Sequence, residues 1–192
     1  MAESVSEVRS GGLSWKCLPK VEIGVDTYLE DFKTHLLSLV RPKWRPEGLG
    51  VKVFDEGITN KLVGIFDKEK GLKNSREEVV LLRINGLGTS AFINRTDEIV
   101  TIMCLNQAGL TPPVYYQLKN GLCYGFTPGR NVSVDEVREE KMMRRIVCTM
   151  VKLHALEIPA HFRDSQPVVW QKMDNFLKIV PETFGDPVKD RW

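Results

Sequence analysis

Arg83 is the residue whose chemistry most needs explaining. It is the one charge in Val79–Ile84 (VVLLRI), otherwise an unbroken apolar run. An unpaired charge inside a core is prohibitively costly, so the guanidinium must reach water or meet a partner. Two readings are open. Arg83 is a strand-end side chain whose stem lies on apolar surface while its head reaches solvent. Alternatively it is a cation aimed at phosphate oxygens, which a guanidinium fork can engage in two places at once. Glu98 falls in the first turn of a helix expected downstream. A carboxylate there either complements the helix dipole or pairs with the strand cation and fixes its aim. Upstream, Gly57, Thr59 and Asn60 sit in a turn between two apolar runs. That turn is either an ordinary surface hairpin or a cradle of backbone N–H groups for phosphate. Gly125-Phe126-Thr127-Pro128-Gly129 breaks a strand further on. In the position of a hinge, the backbone N–H and C=O groups of such a break can pair with the edge of a planar base.

These residues must be carried by regular elements, and the pattern predicts them. Residues 1–20 mix Ser, Gly, Glu and Lys without period and read as a disordered tail. A helix is expected from Asp26 to Val40, opened by a Thr27/Glu30 capping box. Its apolar stripe is Leu29, Phe32, Leu36, Leu39 and Val40, and Pro42 ends it. Residues 51–67 read as a β-hairpin and residues 67–78 as a solvated loop. Val79–Ile84 reads as a buried central strand. A helix then starts near Thr96 or Asp97 and runs to Ala108, with Gly109 as its C-terminal stop. Val114–Leu118 and Leu122–Phe126 flank Asn120-Gly121, a strong hairpin signal. Ser133 and Glu136 form a second capping box. A long helix should cover Glu139–Leu156, with Met143, Val147, Met150, Val151 and His154 in one stripe and His154 packed on that helix. The last thirty or so residues read as short helices, with Trp170, Phe176 and Phe184 large enough to cover part of this stripe. The fold class is α+β: five strands, mostly antiparallel, with one helix inserted after the third.

The bulk numbers exclude several functions. A net charge of +2 over 192 residues makes no electrostatic case for nucleic acid or a membrane surface. No apolar run approaches the ~18 residues that span a bilayer. The N-terminus has no apolar segment of the kind a secretory signal carries. Cys17, Cys104, Cys123 and Cys148 are dispersed and form no Cys-x-x-Cys pair, which argues against zinc and for a reducing, cytoplasmic setting. Cys104 and Cys148 read as small buried hydrophobes. Asn94-Arg95-Thr96 and Asn131-Val132-Ser133 read as helix starts rather than glycosylation sites.

Phe54–Phe66 (FDEGITNKLVGIF), Leu82–Gly86 (LRING) and Asn120–Phe126 (NGLCYGF) together resemble the choline/ethanolamine kinase family, on its ethanolamine kinase side. The similarity spans about residues 20–190. It implies a protein-kinase-like N-lobe over 21–126, a five-stranded antiparallel sheet with one inserted helix. Residues 127–192 would be the hinge and the first helices of the C-lobe. It implies ATP-dependent phosphorylation of ethanolamine to phosphoethanolamine, with ATP and magnesium as cofactors. Residue by residue, Gly57, Thr59 and Asn60 match the phosphate loop and Arg83 the strand cation. Glu98 matches its helix partner, and Gly125 and Thr127 match hinge positions whose backbone meets adenine. The short connection between Arg83 and the following helix resembles ethanolamine kinases more than choline kinases. The family's His-x-Asp-x-x-x-x-Asn catalytic loop does not occur in the 192 residues, and no later Asp-x-Glu metal segment follows the break at Phe126. His161-Phe162-Arg163-Asp164 has the wrong spacing. No catalytic or metal-binding residue is therefore assigned, and magnesium ligands are expected in a missing C-terminal part. A truncated, inactive kinase is the expectation. The rival is a non-catalytic fragment that associates with a full-length kinase or another partner.

Overall fold

The computed structural model describes residues 4–54, 59–71, 78–89, 93–160 and 167–189. Strands β1 (Ser6–Ser10) and β2 (Leu13–Leu18) come first. A helix, α1, follows over residues 28–40. Strands β3 (Leu49–Phe54), β4 (Asn60–Asp67) and β5 (Val79–Asn85) lead to α2 (Arg95–Gln107). Strands β6 (Val114–Leu118) and β7 (Gly121–Gly125) then precede α3 (Val134–Arg138), α4 (Glu140–His154) and α5 (Val168–Ile179). The strands form one sheet in the order β1-β2-β6-β7-β5-β4-β3.

The five expected strands are present, and β3-β4-β5-β7-β6 is antiparallel throughout. The sheet has two strands more than the sequence reading gave it. The disordered tail assigned to residues 1–20 is corrected at its centre, where β1 and β2 form a hairpin. Gly11 and Gly12 make its two-residue turn with φ of 59° and 79°, a left-handed pair that glycine adopts without steric cost. Leu13 and Trp15 alternate inward and are buried. β2 joins β6 in parallel through Cys17 and Leu18, and Trp15 Nε1 donates to Gln117 Oε1 at 2.7 Å.

Each face of the sheet carries one helix. Val80, Leu82 and Ile84 of β5 pack with Val63, Ile65, Phe32 and Leu36 on the α1 side. Ile99, Val100, Met103 and Cys104 of α2 pack with Leu13, Trp15 and Leu122 on the other. Because side chains alternate along a strand, Val79, Leu81, Arg83 and Asn85 point to the α2 side. Val79 and Leu81 are also buried, so β5 is covered on both faces, as its apolar sequence requires.

α1 departs from its expected register. Its middle, Phe32–Leu36, is a π-turn between two short α-helical pieces. The wider turn rotates Leu37 into the core and leaves Leu39 exposed, although the α-helical stripe named Leu39. The Thr27/Glu30 capping box is not formed. Asp31 ties down the start instead, accepting from Gly24 N at 2.8 Å and Thr27 Oγ1 at 2.7 Å. Asn94 does cap α2, accepting from the Thr96 and Asp97 amides. Gly109 follows it with φ of 70°. The Ser133/Glu136 box is also formed, and it opens the short α3. Arg130 and the Ser133 backbone hold the Glu136 carboxyl down to about 2.

α4 and α5 bury none of their residues among those described. Met143, Val147, Met150 and Val151 are exposed, as are Trp170, Phe176 and Phe184. The aromatic residues therefore do not cover the α4 stripe. Cys148 and His154 are exposed with it, correcting the expectation that the first was buried and the second packed. Cys104, by contrast, is buried. The apolar residues of α4 still lie along one face at helical spacing, and that face meets water.

Two outcomes follow from this packing. Gly121 lies against the backbone carbonyl of Arg83, where an added Cβ would collide. Gly121→Ala should lower unfolding stability by roughly 2 kcal/mol or more through overpacking, measured by denaturant titration. Each apolar side chain on α4 and α5 left in water forgoes roughly 1.5–3 kcal/mol of burial free energy. The chain should bind a hydrophobic dye at neutral pH and self-associate with concentration. A monomer without dye binding would show that these faces are covered.

Candidate nucleotide-binding site

The site is built along β5, beginning with Arg83. Its cross-strand neighbours are Leu62 on β4 and Leu122 on β7, so the guanidinium rises from between apolar side chains. It does not reach out to solvent, since its side chain is only 17% exposed. It meets Glu98 across the gap to α2, with Arg83 Nη2 at 2.8 Å from Glu98 Oε2. The pair exists because α2 docks on this face. The Asn94 cap places Glu98 in the first turn, and Ile99 and Val100 next to it enter the core. Glu98 N donates to Asn94 O at 3.0 Å, which fixes the turn that carries the carboxylate.

Arg83 is not fully satisfied by this partner. Among the described residues, its buried Nε and Nη2 atoms make no hydrogen bond, although Nη2 is at ion-pair distance from Glu98. Buried donors without an acceptor are rare and expensive. An anion on the α2 side of β5 would supply what they lack. Phosphate oxygens fit this need, because one guanidinium can meet two of them.

A second cation shares Glu98. Arg95 Nη1 lies at 2.9 Å from the same Oε2, and Arg95 also donates to Thr89 Oγ1. Sequence reading missed Arg95, although it stands three residues before Glu98 on the same helix, a spacing at which side chains meet. It also missed Tyr124, opposite Leu81 on β7. Burial pushes the Tyr124 phenol up; Arg83 opposes that shift and Glu98 adds to it. Tyr124 thus stands within the field of the ion pair and forms part of the apolar wall beside it.

Thr59 and Asn60 lie beyond Arg83 at the far end of β5. Asn60 pairs with Asn85 across the strands, and Gly86 N donates to Thr59 O at 2.9 Å. The Asn60 and Asn85 side-chain oxygens are both buried without a partner among the described residues. Thr59, Asn60, Asn85 and Gly86 line a cleft of about 880 Å³ at this end of the sheet. Gly57 lies outside the described residues, as do residues 55–58 as a whole.

Gly125 sits at the opposite end, paired with Val80. Its N–H donates to Pro113 O at 2.8 Å, so that donor is engaged within the protein rather than presented to a ligand. Thr127 is exposed just past the strand. From Val80 to Asn85 is five residue steps, or roughly 17 Å at strand spacing. Along that length β5 passes the Gly125 end, the buried cation and the Thr59 end in order. Among the described residues no group of three His, Cys, Asp or Glu side chains could hold a metal ion. Among the described residues no helix is long and apolar enough to cross a membrane.

The sequence model of the choline/ethanolamine kinase family matches residues 51–190. Human ethanolamine kinase 2 is 32% identical over 145 residues, covering 76% of this chain and 36% of that protein. Human ethanolamine kinase 1 is 32% identical over 151 residues, covering 79% of this chain and 32% of that protein. Among solved structures, a Plasmodium vivax ethanolamine kinase superposes with a TM-score of 0.56 at 20% identity, over 82% of this chain and 38% of that one. This chain spans about a third of the length of the two human relatives. With the family match over most of its residues and the kinase-type sheet and helix around Arg83, the chain belongs to the choline/ethanolamine kinase family.

Proposed function

We propose that this chain is the ATP-binding portion of an ethanolamine kinase and that the 192 residues do not complete the reaction alone. The observation that carries the reading is Arg83, a buried cation paired with Glu98 whose Nε and Nη2 atoms make no hydrogen bond among the described residues. In this reading the adenine ring lies toward the Gly125–Thr127 end of β5. The triphosphate runs past Arg83 to the Thr59–Asn60 turn. Glu98 keeps the guanidinium off its neighbours and aimed along the strand. Since the Gly125 N–H is taken by Pro113, the base is met by other backbone groups of the segment that follows β7.

The reaction proposed for the whole protein transfers the γ-phosphoryl group of ATP to the hydroxyl of ethanolamine, giving ADP and phosphoethanolamine. Such transfer depends on positioning, charge neutralisation by metal and a base for the hydroxyl proton. This chain supplies the first. Magnesium would neutralise phosphate charge when bound, and no ligand set for it is found among the described residues. Nor does the sequence contain the His-x-Asp-x-x-x-x-Asn segment that would carry the base. Ethanolamine rather than choline is favoured by the short connection of residues 86–94 between β5 and α2, and by the names of the human relatives. Four free cysteines fit a reducing compartment such as the cytoplasm.

Titration of the chain with ATP tests the site. Arg83→Ala should weaken binding roughly 10- to 100-fold, the worth of charge-assisted hydrogen bonds. Glu98→Gln should weaken it less, because Arg83 remains and loses only its aim. Equal affinities in all three proteins would make the pair purely structural. Incubation with ATP, magnesium and ethanolamine tests the second half of the reading. Absence of a positioned base alone removes ~10²–10⁴-fold of rate, so phosphoethanolamine should not form above background. Turnover at the rate of an intact kinase would show the chain to be catalytically complete.

A further inference from the structure

Thr89 is buried to 7% exposure, with its polar group inside the protein. Its hydroxyl donates to Gly86 O at 2.8 Å and accepts from Arg95. Gly86 in turn donates its N–H to Thr59 O at 2.9 Å. Arg95 reaches the other way to Glu98, whose same oxygen meets Arg83. An unbroken line of contacts therefore runs from the backbone beside the β3–β4 turn, through Gly86, Thr89, Arg95 and Glu98, to the strand cation.

We propose that Arg95 is a positioning residue for phosphate binding, holding Glu98 with one end of its fork and Thr89 with the other. The proposal rests on the reading of Arg83 as the phosphate cation. Two physical consequences support it. First, the guanidinium plane is rigid, so bonds from both its nitrogens fix the Glu98 carboxylate relative to the 86–89 segment. The separation between Arg83 and the Thr59 turn is then set by side chains as well as by the sheet. Second, Arg95 changes the charge of the cluster. Arg83 and Glu98 alone are neutral as a pair, and the attraction would keep Arg83 on its carboxylate. With Arg95 the three groups carry a net +1. Glu98 stays compensated when Arg83 turns its other donors to an anion, and the local potential favours that anion.

The test is a double-mutant cycle on the full 192-residue chain, read by ATP titration. Arg95→Ala should weaken ATP binding roughly five- to twentyfold, within the range of coupling between side chains of one network. On a Glu98→Gln background the same substitution should cost almost nothing, because Arg95 acts through Glu98. Thr89→Val, which keeps the shape and removes the hydroxyl, should show part of the Arg95→Ala loss. Hydrogen exchange at the Gly86 amide should quicken in both single variants. Undiminished ATP affinity in Arg95→Ala, or the same loss on both backgrounds, overturns the proposal. A separate failure is visible in Arg83→Ala. If that variant binds ATP as the parent does, the phosphate reading of Arg83 falls. Gly86 exchange then still decides whether Arg95 anchors the segment, and unchanged exchange rejects it.

Discussion

One buried charge organises this domain. Arg83 stands in a strand covered on both faces, where an uncompensated guanidinium could not be tolerated. Glu98 meets that demand only if α2 is docked with its first turn over β5. The Asn94 cap, the buried Ile99, Val100 and Met103, and the stop at Gly109 all serve that placement. A buried ion pair of this kind is a poor source of stability, since desolvation offsets much of the attraction. Its retention in the core is better understood as a requirement of the site. Among the described residues the Arg83 Nε and Nη2 atoms make no hydrogen bond, which is what the proposed phosphate contact would supply.

The same strand fixes distances. β5 is central, hydrogen-bonded to β4 on one side and β7 on the other. Close backbone approaches lock both neighbours at the end near the cation: Gly86 against Thr59, and Gly121 against the Arg83 carbonyl. Asn120 extends the lock, since its side chain accepts from Ile23 N at 3.0 Å and donates to Ile23 O at 2.8 Å. The segment leading into α1 is thereby bonded to the β6–β7 turn. One end of the sheet, rather than a flexible arm, thus carries the residues proposed to meet the phosphates. Preorganisation of this kind matters in phosphoryl transfer, where the protein contributes position and charge rather than covalent chemistry.

Much of this was legible because it breaks a pattern. A lone Arg in an apolar strand and a Glu behind a helix-capping Asn are visible as residue types in context, and the structure brings Arg83 and Glu98 together. Asn120-Gly121 marked its hairpin for the same reason. Gly11-Gly12 carried an equally good turn signal, with Leu13 and Trp15 alternating after it, but the polar β1 on its other side hid the hairpin. The π-turn in α1 could not be read, because a shift from Leu39 to Leu37 depends on packing against the sheet. Arg95 was a matter of spacing overlooked, whereas Thr89 became buried only through the path of the chain between β5 and α2. Helical periodicity located α4 well and said nothing of what covers it. Its apolar side chains are at the expected spacing and still face water.

That last contrast separates two kinds of completeness. The sheet with α1 and α2 is a closed unit, since both faces of β5 are covered and the ion pair lies inside. α4 and α5 add helical hydrogen bonds without adding core. Isolated helices of this length are marginal in water unless an apolar face is buried. The two parts should therefore differ in local stability, with the sheet opening only near the global free energy and the helices opening well below it. Arg83, Thr59 and Asn60, proposed to meet nucleotide phosphates, belong to the closed unit. The Arg83–Glu98 arrangement can thus persist while α4 and α5 fray, because both residues lie on elements of the closed unit.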